Sequence, residues 1–366
     1  MRRTWKDLLS LGLATILSTL IVWLPFSLGL GKGMLTVFAN YDGPNYLIIA
    51  KTLYNKTQIA SSFSLPIPLE YYPAHLPTYP LLIKLFDIFI PGTWAMLSVT
   101  LLATILAALM FYLFVKKFNF SSRPLFLSLL FLFLPARFLV VRSVGSPEPL
   151  FIFAILASVY FFKDKKYWLA GIFGALAQVT KTSGILLFLA YGIWLIIQAV
   201  KTKKIPWKAY PLLLIPLSII PVFWFYKIQT GDFFAYFHSG DNFHLVFPPF
   251  QSFVTGRNWL GDFWLEDMVW QYLIGVLAVL QLIKLKHFDL ATFAGVFFSA
   301  TLFIAHRDLS RYSLPLMPFA LIAFAPFLEK KEFKIAFLII LVPIYLYAIN
   351  FILHNTAPVA DWTPYL

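Results

Sequence analysis

Residues 8–30 read LLSLGLATILSTLIVWLPFSLGL, a run without a single charge. A helix rising about 1.5 Å per residue needs roughly 20 such residues to cross a hydrocarbon core of about 30 Å. This run is long enough to span, and its apolar stretch lacks the short core and small-residue cleavage site of a secretory leader, so it is expected to stay as a membrane helix. Arg2, Arg3 and Lys6 stand just before it, which predicts a cytoplasmic N-terminus.

The rest of the chain has the same character. Of 366 residues 60% are apolar and 12% charged, with a mean hydropathy of +0.79; these values exclude an ordinary soluble domain. The expected class is an all-α integral membrane protein, multi-pass, formed as one domain over 1–366. There is no cysteine, which excludes disulfides, thiolate metal sites and a cysteine nucleophile.

Eleven spans are predicted, near 8–30, 92–115, 124–141, 147–162, 167–180, 183–200, 207–226, 267–283, 288–305, 313–328 and 333–352. With the N-terminus inside, most Lys and Arg fall in short inner loops, as at Lys116, Lys117 and Arg123, or Lys201, Lys203 and Lys204, the pattern that orients membrane proteins. Most acids fall outside. The two long loops, 31–91 and 227–266, are therefore outer, and polar chemistry is expected there. The net charge of +13 reads as topology and as grip on anionic membrane lipids, with no nucleic acid required. In the first outer loop, 47–54 and 81–90 are predicted as short interfacial helices, separated by turns around Pro66, Pro68, Pro73 and Pro77.

Five polar clusters lie on the outer side. In NYDGPNY (40–46), Asp42 is either a turn and N-cap residue before Pro44, or an isolated functional carboxylate, or both, with Tyr41, Asn45 and Tyr46 beside it. The stretch EYYPAHLPTYP (70–80), with Tyr72 and His75, is either a binding wall or an interfacial aromatic belt. Arg142-Ser143-Val144-Gly145-Ser146-Pro147-Glu148 is a short turn whose Arg142 and Glu148 face an anion or pair with each other. Lys181, in TKTSG (180–184), follows a helix of about 14 residues and about 21 Å. That is too short to cross fully, so Lys181 is predicted in a depression, against a lipid phosphate or snorkelling outward. His306-Arg307-Asp308-Leu309-Ser310-Arg311-Tyr312 suits phosphate or carboxylate recognition, with pairing to Asp308 as the alternative.

These stretches, with YPAHLPTYPLL (72–82), Ser146-Pro147-Glu148-Pro149-Leu150-Phe151 and Pro318, resemble in order and sidedness the GT-C glycosyltransferases. The nearest pattern is that of the GPI mannosyltransferase II family and its prokaryotic relatives. Tyr41 stands where that family typically has tryptophan, and Lys181 where it has arginine. The resemblance implies an inverting hexosyltransferase, with mannose the family's named sugar, in the plasma membrane of a prokaryotic cell envelope. It would take sugar from a polyprenyl-phosphate donor on the non-cytoplasmic face and pass it to a lipid or glycan acceptor. Asp42 would be the base, and Lys181, Arg311, Arg142 and Arg307 the cations for the phosphate. Tyr41, Asn45, Tyr46, Tyr72, His75, Glu148, His306 and Tyr312 would contact substrate.

No cofactor is expected. Diphosphate donors use a cation held by clustered oxygens, whereas Asp42 has no acidic neighbour before Glu70; a metal-independent reaction on a monophosphate fits better. Asp241, Asp262, Glu266 and Asp267 are the alternative cation site. The rival functions are a secondary transporter or lipid-linked sugar flippase, for which internal symmetry and midplane broken helices are the marks, and a non-catalytic scaffold.

Overall fold

The computed structural model describes residues 2–240, 244–254 and 262–366, and of the helix beginning at Asp262 it describes side chains from Leu265 onward. Helix is the only extended regular structure among the described residues, joined by turns and loops, apart from two isolated bridges, Asn40 to Thr356 and Leu245 to Ile304. A chain that must satisfy every backbone group inside lipid has few other options.

Among the described residues, seven helical segments are long and apolar enough to cross a membrane: Thr4–Ser27, Gly92–Lys117, Thr182–Thr202, Trp207–Thr230, Leu265–Lys284, Leu309–Leu328 and Lys331–His354. Tyr167–Thr180 and Phe288–Thr301 are shorter apolar helices. The stretch expected as one span at 124–141 is two helices, Pro124–Phe131 and Ala136–Val141, with Pro135 at the break. A proline there supplies no amide hydrogen to continue the ladder.

Gly92–Lys117 and Leu309–Leu328 are the most enclosed of the seven. The first packs against both the Arg2–Ser27 and Glu148–Lys163 helices, and its buried face carries Ala95, Ala103, Ala107 and Ala108. Small residues let backbones approach closely where lipid supplies no hydrophobic drive between helices. Large apolar side chains of the outer helices, such as Leu9, Ile196 and Ile339, are exposed, as a lipid-facing surface requires.

The predicted helix at 47–54 begins earlier, at Gly43, and ends at Thr52, where Leu53 and Tyr54 turn into the left-handed region. It is enclosed by protein: Tyr46, Leu47, Ile48 and Ile49 are buried in the main core. The predicted helix at 81–90 runs Thr78–Phe86. A further helix, Lys56–Ser62, went unanticipated; the Asn55 side chain accepts from the Gln58 amide and caps it.

Candidate functional site

The Asp42 turn is built by its neighbours. Tyr41 has φ 50°, Asp42 takes the N-cap position of the Gly43–Thr52 helix, and Pro44 sits in its first turn. Gly43 is required for space, since a Cβ there would stand 2.6 Å from the Phe38 carbonyl oxygen. Asp42 accepts the first helical bond through its backbone oxygen, from Tyr46 N at 3.0 Å. Its carboxylate makes no capping bond. Instead Oδ1 lies 3.4 Å from Asn45 Nδ2 and 3.6 Å from His75 Nε2, while Oδ2 lies 3.6 Å from Arg311 Nη2. Asp42 is thus a cap by backbone position only, and its side chain belongs to another assembly.

Burial works to raise the Asp42 pKa and nearby Glu148 adds to that, but the adjacent His75 and the positive charge of Arg311 outweigh both. The carboxyl is held below its ordinary range.

Glu148 opens the Glu148–Lys163 helix and is almost fully buried. Its Oε1 accepts from Lys181 Nζ and from Arg311 Nε, both at 2.6 Å, and Oε2 accepts from the Ser146 hydroxyl. A buried carboxylate is tolerable only when paired and hydrogen-bonded. Lys181 reaches it because the Tyr167–Thr180 helix ends where expected, and Lys181 is extended, with φ −146°. The turn after it packs tightly: a Cβ on Gly184 would stand 2.4 Å from Gln178 N. Arg311 comes from the short Leu309–Tyr312 helix, which Pro315 separates from Met317–Leu328.

These side chains border a cavity of about 270 Å³. Asp42, His75, Lys181, His244 and Arg311 are among its charged or ionisable lining, and Leu186, Phe297, Ile304 and Pro315 form part of its apolar wall. Such a mixture of an apolar body with a few converging polar groups is what small-molecule sites present.

Of the residues predicted for the site, Asp42, Tyr46, His75, Lys181, Arg311 and Tyr312 line this cavity. Asn45 and Glu148 stand behind its wall, holding Asp42 and the two cations. Tyr41 also stands behind, with the Arg311 guanidinium 4.5 Å from its ring centre. Tyr72 is buried in the core and Arg307 is exposed; neither lines the cavity. His306 lies against His244, with ring centres 4.6 Å apart and planes tilted by 34°, and accepts from the Asp308 amide. Burial, then His244 and the neighbouring arginines, lower its pKa to about 4.

Arg142 corrects the sequence reading most clearly. It does not pair with Glu148 and is sealed in the core, donating to the Leu132 carbonyl at 2.9 Å, the Thr19 hydroxyl at 2.7 Å and the Ser18 hydroxyl at 2.9 Å. It ties the first long helix to the 132–142 stretch. Asp308 pairs with Arg137, not with Arg307 or Arg311. Arg137 was the overlooked signal, a charge inside the apolar run 124–141. The cavity residues Tyr236 and His244 were also missed; they lie in the long 227–266 loop, where no motif marks them. Of the alternative acidic cation site, Asp241 and the Asp262 side chain lie outside the described residues.

No protein-family model matches the chain, and no curated protein matches it either.

Proposed function

We propose that this protein is an inverting membrane glycosyltransferase that moves a hexose from a polyprenyl-phosphate donor to an acceptor hydroxyl on a lipid or glycan. The observation that carries this reading is the meeting of Asp42, Lys181 and Arg311 on one cavity, from three distant parts of the sequence. In the step, the acceptor hydroxyl gives its proton to Asp42 Oδ2 as its oxygen attacks the anomeric carbon from the face opposite the phosphate. The bond from that carbon to the phosphate oxygen breaks, and its electron pair stays on the phosphate. Lys181 and Arg311 meet the charge that develops there. Oδ2 is the proposed acceptor because Asn45 and His75 lie on the side of Oδ1.

In this reading the seven long helices, together with shorter helical stretches at 124–141, 147–162, 167–180 and 288–305, make eleven crossings. The N-terminus is cytoplasmic and the cavity opens outward. A cysteine introduced at Thr363 is then modified from outside and one at Lys203 is not; the reverse pattern overturns the sidedness.

The decisive experiment is transfer from a polyprenyl-phosphate hexose by purified wild type and Asp42→Asn, with the anomer of the product determined. Asn keeps the shape and removes the proton acceptor, so turnover is expected to fall about 10² to 10⁴-fold with the thermal midpoint retained. Equal activity, or a retained anomeric configuration, sinks the base role. Movement of lipid-linked sugar across the bilayer without bond formation moves the protein to the flippase reading.

A further inference from the structure

Tyr41 is next to the proposed base, yet it does not line the cavity. Its hydroxyl is buried and finds no hydrogen-bond partner among the described residues. Its ring is heavily used: the Arg311 guanidinium lies 4.5 Å from the ring centre, the Arg137 guanidinium 5.5 Å, and the Phe351 ring 5.6 Å. Arg137 is itself fixed, with its guanidinium 3.7 Å from the Phe351 ring centre, a 2.9 Å bond to the Tyr347 hydroxyl, and an ion pair to buried Asp308. An aromatic face attracts a guanidinium more strongly where water is excluded.

The backbone around Tyr41 is held just as firmly. Its φ of 50° is a conformation that residues with a Cβ rarely adopt. It is enforced from the segment that follows the last long helix. Ala357 N donates to Ala39 O at 2.8 Å, Tyr41 N to Asn355 O at 3.4 Å, and the fully buried Asn40 side chain to Ile352 O at 2.9 Å. A disfavoured dihedral that its surroundings over-determine is a common feature of functional turns.

We infer that Tyr41 is a positioning residue: its ring holds the Arg311 guanidinium in place between Asp42 and Glu148, and is backed by Arg137 and the 352–357 segment. This rests on the reading of Asp42 and Arg311 as base and phosphate cation. The ring supplies a face and no hydrogen bond, so the hydroxyl is dispensable. Asp42 follows directly, and the turn that presents Tyr41 to Arg311 also presents Asp42 to His75.

The test uses the full chain in lipid nanodiscs, with Tyr41→Phe, which keeps the face, and Tyr41→Asn, which tolerates the left-handed backbone but removes the ring. Transfer from a polyprenyl-phosphate hexose is expected to stay within about twofold for Tyr41→Phe and to fall about 10²-fold for Tyr41→Asn, the scale of a small misplacement in a reacting site. Wild-type rate in Tyr41→Asn, or equal loss in both variants, overturns the inference. A thermal-midpoint cycle over Tyr41→Asn, Arg311→Met and the double variant needs no activity. The double variant is expected to lose less than the sum of the singles, and additive losses overturn the contact. Absence of transfer by wild type sinks the glycosyltransferase reading, while the cycle still decides the contact. Should Tyr41→Asn not fold, Tyr41→Leu takes its place in both arms.

Discussion

Arg142 and Arg311 are both enclosed arginines on the same chain, and they do opposite things. Arg142 gives its hydrogen bonds to neutral oxygens from Leu132, Ser18 and Thr19, and none of its surface is exposed. Arg311 shares two carboxylates, Asp42 and Glu148, and borders a cavity with 15% of its side chain exposed. A cation whose donors are all engaged by the bundle itself is a brace, because any new partner must first undo the packing. One that already shares its charge between two carboxylates beside open space can take another anion at small cost. Residue type did not separate the two; partners and access did.

The strongest way to break this contrast is substitution at the cavity. Arg311→Met and Lys181→Met are each expected to lower turnover about 10² to 10³-fold, as loss of one donor to a developing charge does, with both proteins still folded. Normal transfer by both variants would leave the two cations as structural partners of Glu148 and erase the difference from Arg142.

Arg142→Met sharpens the contrast from the other side. It leaves the Leu132 carbonyl without its donor in a buried place, at about 1–3 kcal/mol, while the Ser18 and Thr19 hydroxyls keep their own bonds to Thr15 O. A lowered thermal midpoint with turnover near wild type, measured well below that midpoint, is the expected outcome. A large loss of turnover at unchanged stability would return Arg142 to the site.

The smallest effect is on pH dependence. Asp42 has a pKa depressed from its ordinary 3.8, so its ionised form contributes stability above about pH 3.8 that is lost as pH falls through the lower folded value. Between about pH 5 and pH 8 Asp42 should therefore add no slope to the midpoint or to turnover. The midpoint difference between wild type and Asp42→Asn should narrow only in the more acidic range. A difference that instead changes near pH 6 would mean that Asp42 is not held ionised by His75 and Arg311.

Much of the architecture was legible in the chain. The uncharged run at 8–30, the long apolar segments and the short 167–180 stretch carry their own lengths, and helix length in a membrane is set by local composition against a fixed hydrocarbon thickness. That length put Lys181 at the end of the short helix, but did not name Glu148 as its partner. The buried state of the Gly43–Thr52 helix was not legible, because proline-rich flanks and tyrosines read the same at an interface as in a core. The same ambiguity left Tyr72 as a candidate contact, though its side chain is packed away from the cavity.

By itself the sequence determined an all-helical membrane protein, and it marked Asp42, Lys181 and Arg311 as residues with few reasons to be where they are. Only the tertiary structure decided that Asp42 caps its helix through the backbone alone, that Glu148 gathers both cations, and that Arg142 belongs to the frame. The reason is physical: hydropathy and spacing are sums over neighbouring residues, whereas the partner of a buried charge is chosen by which helices meet, 33 residues apart for Glu148 with Lys181 and 163 for Glu148 with Arg311.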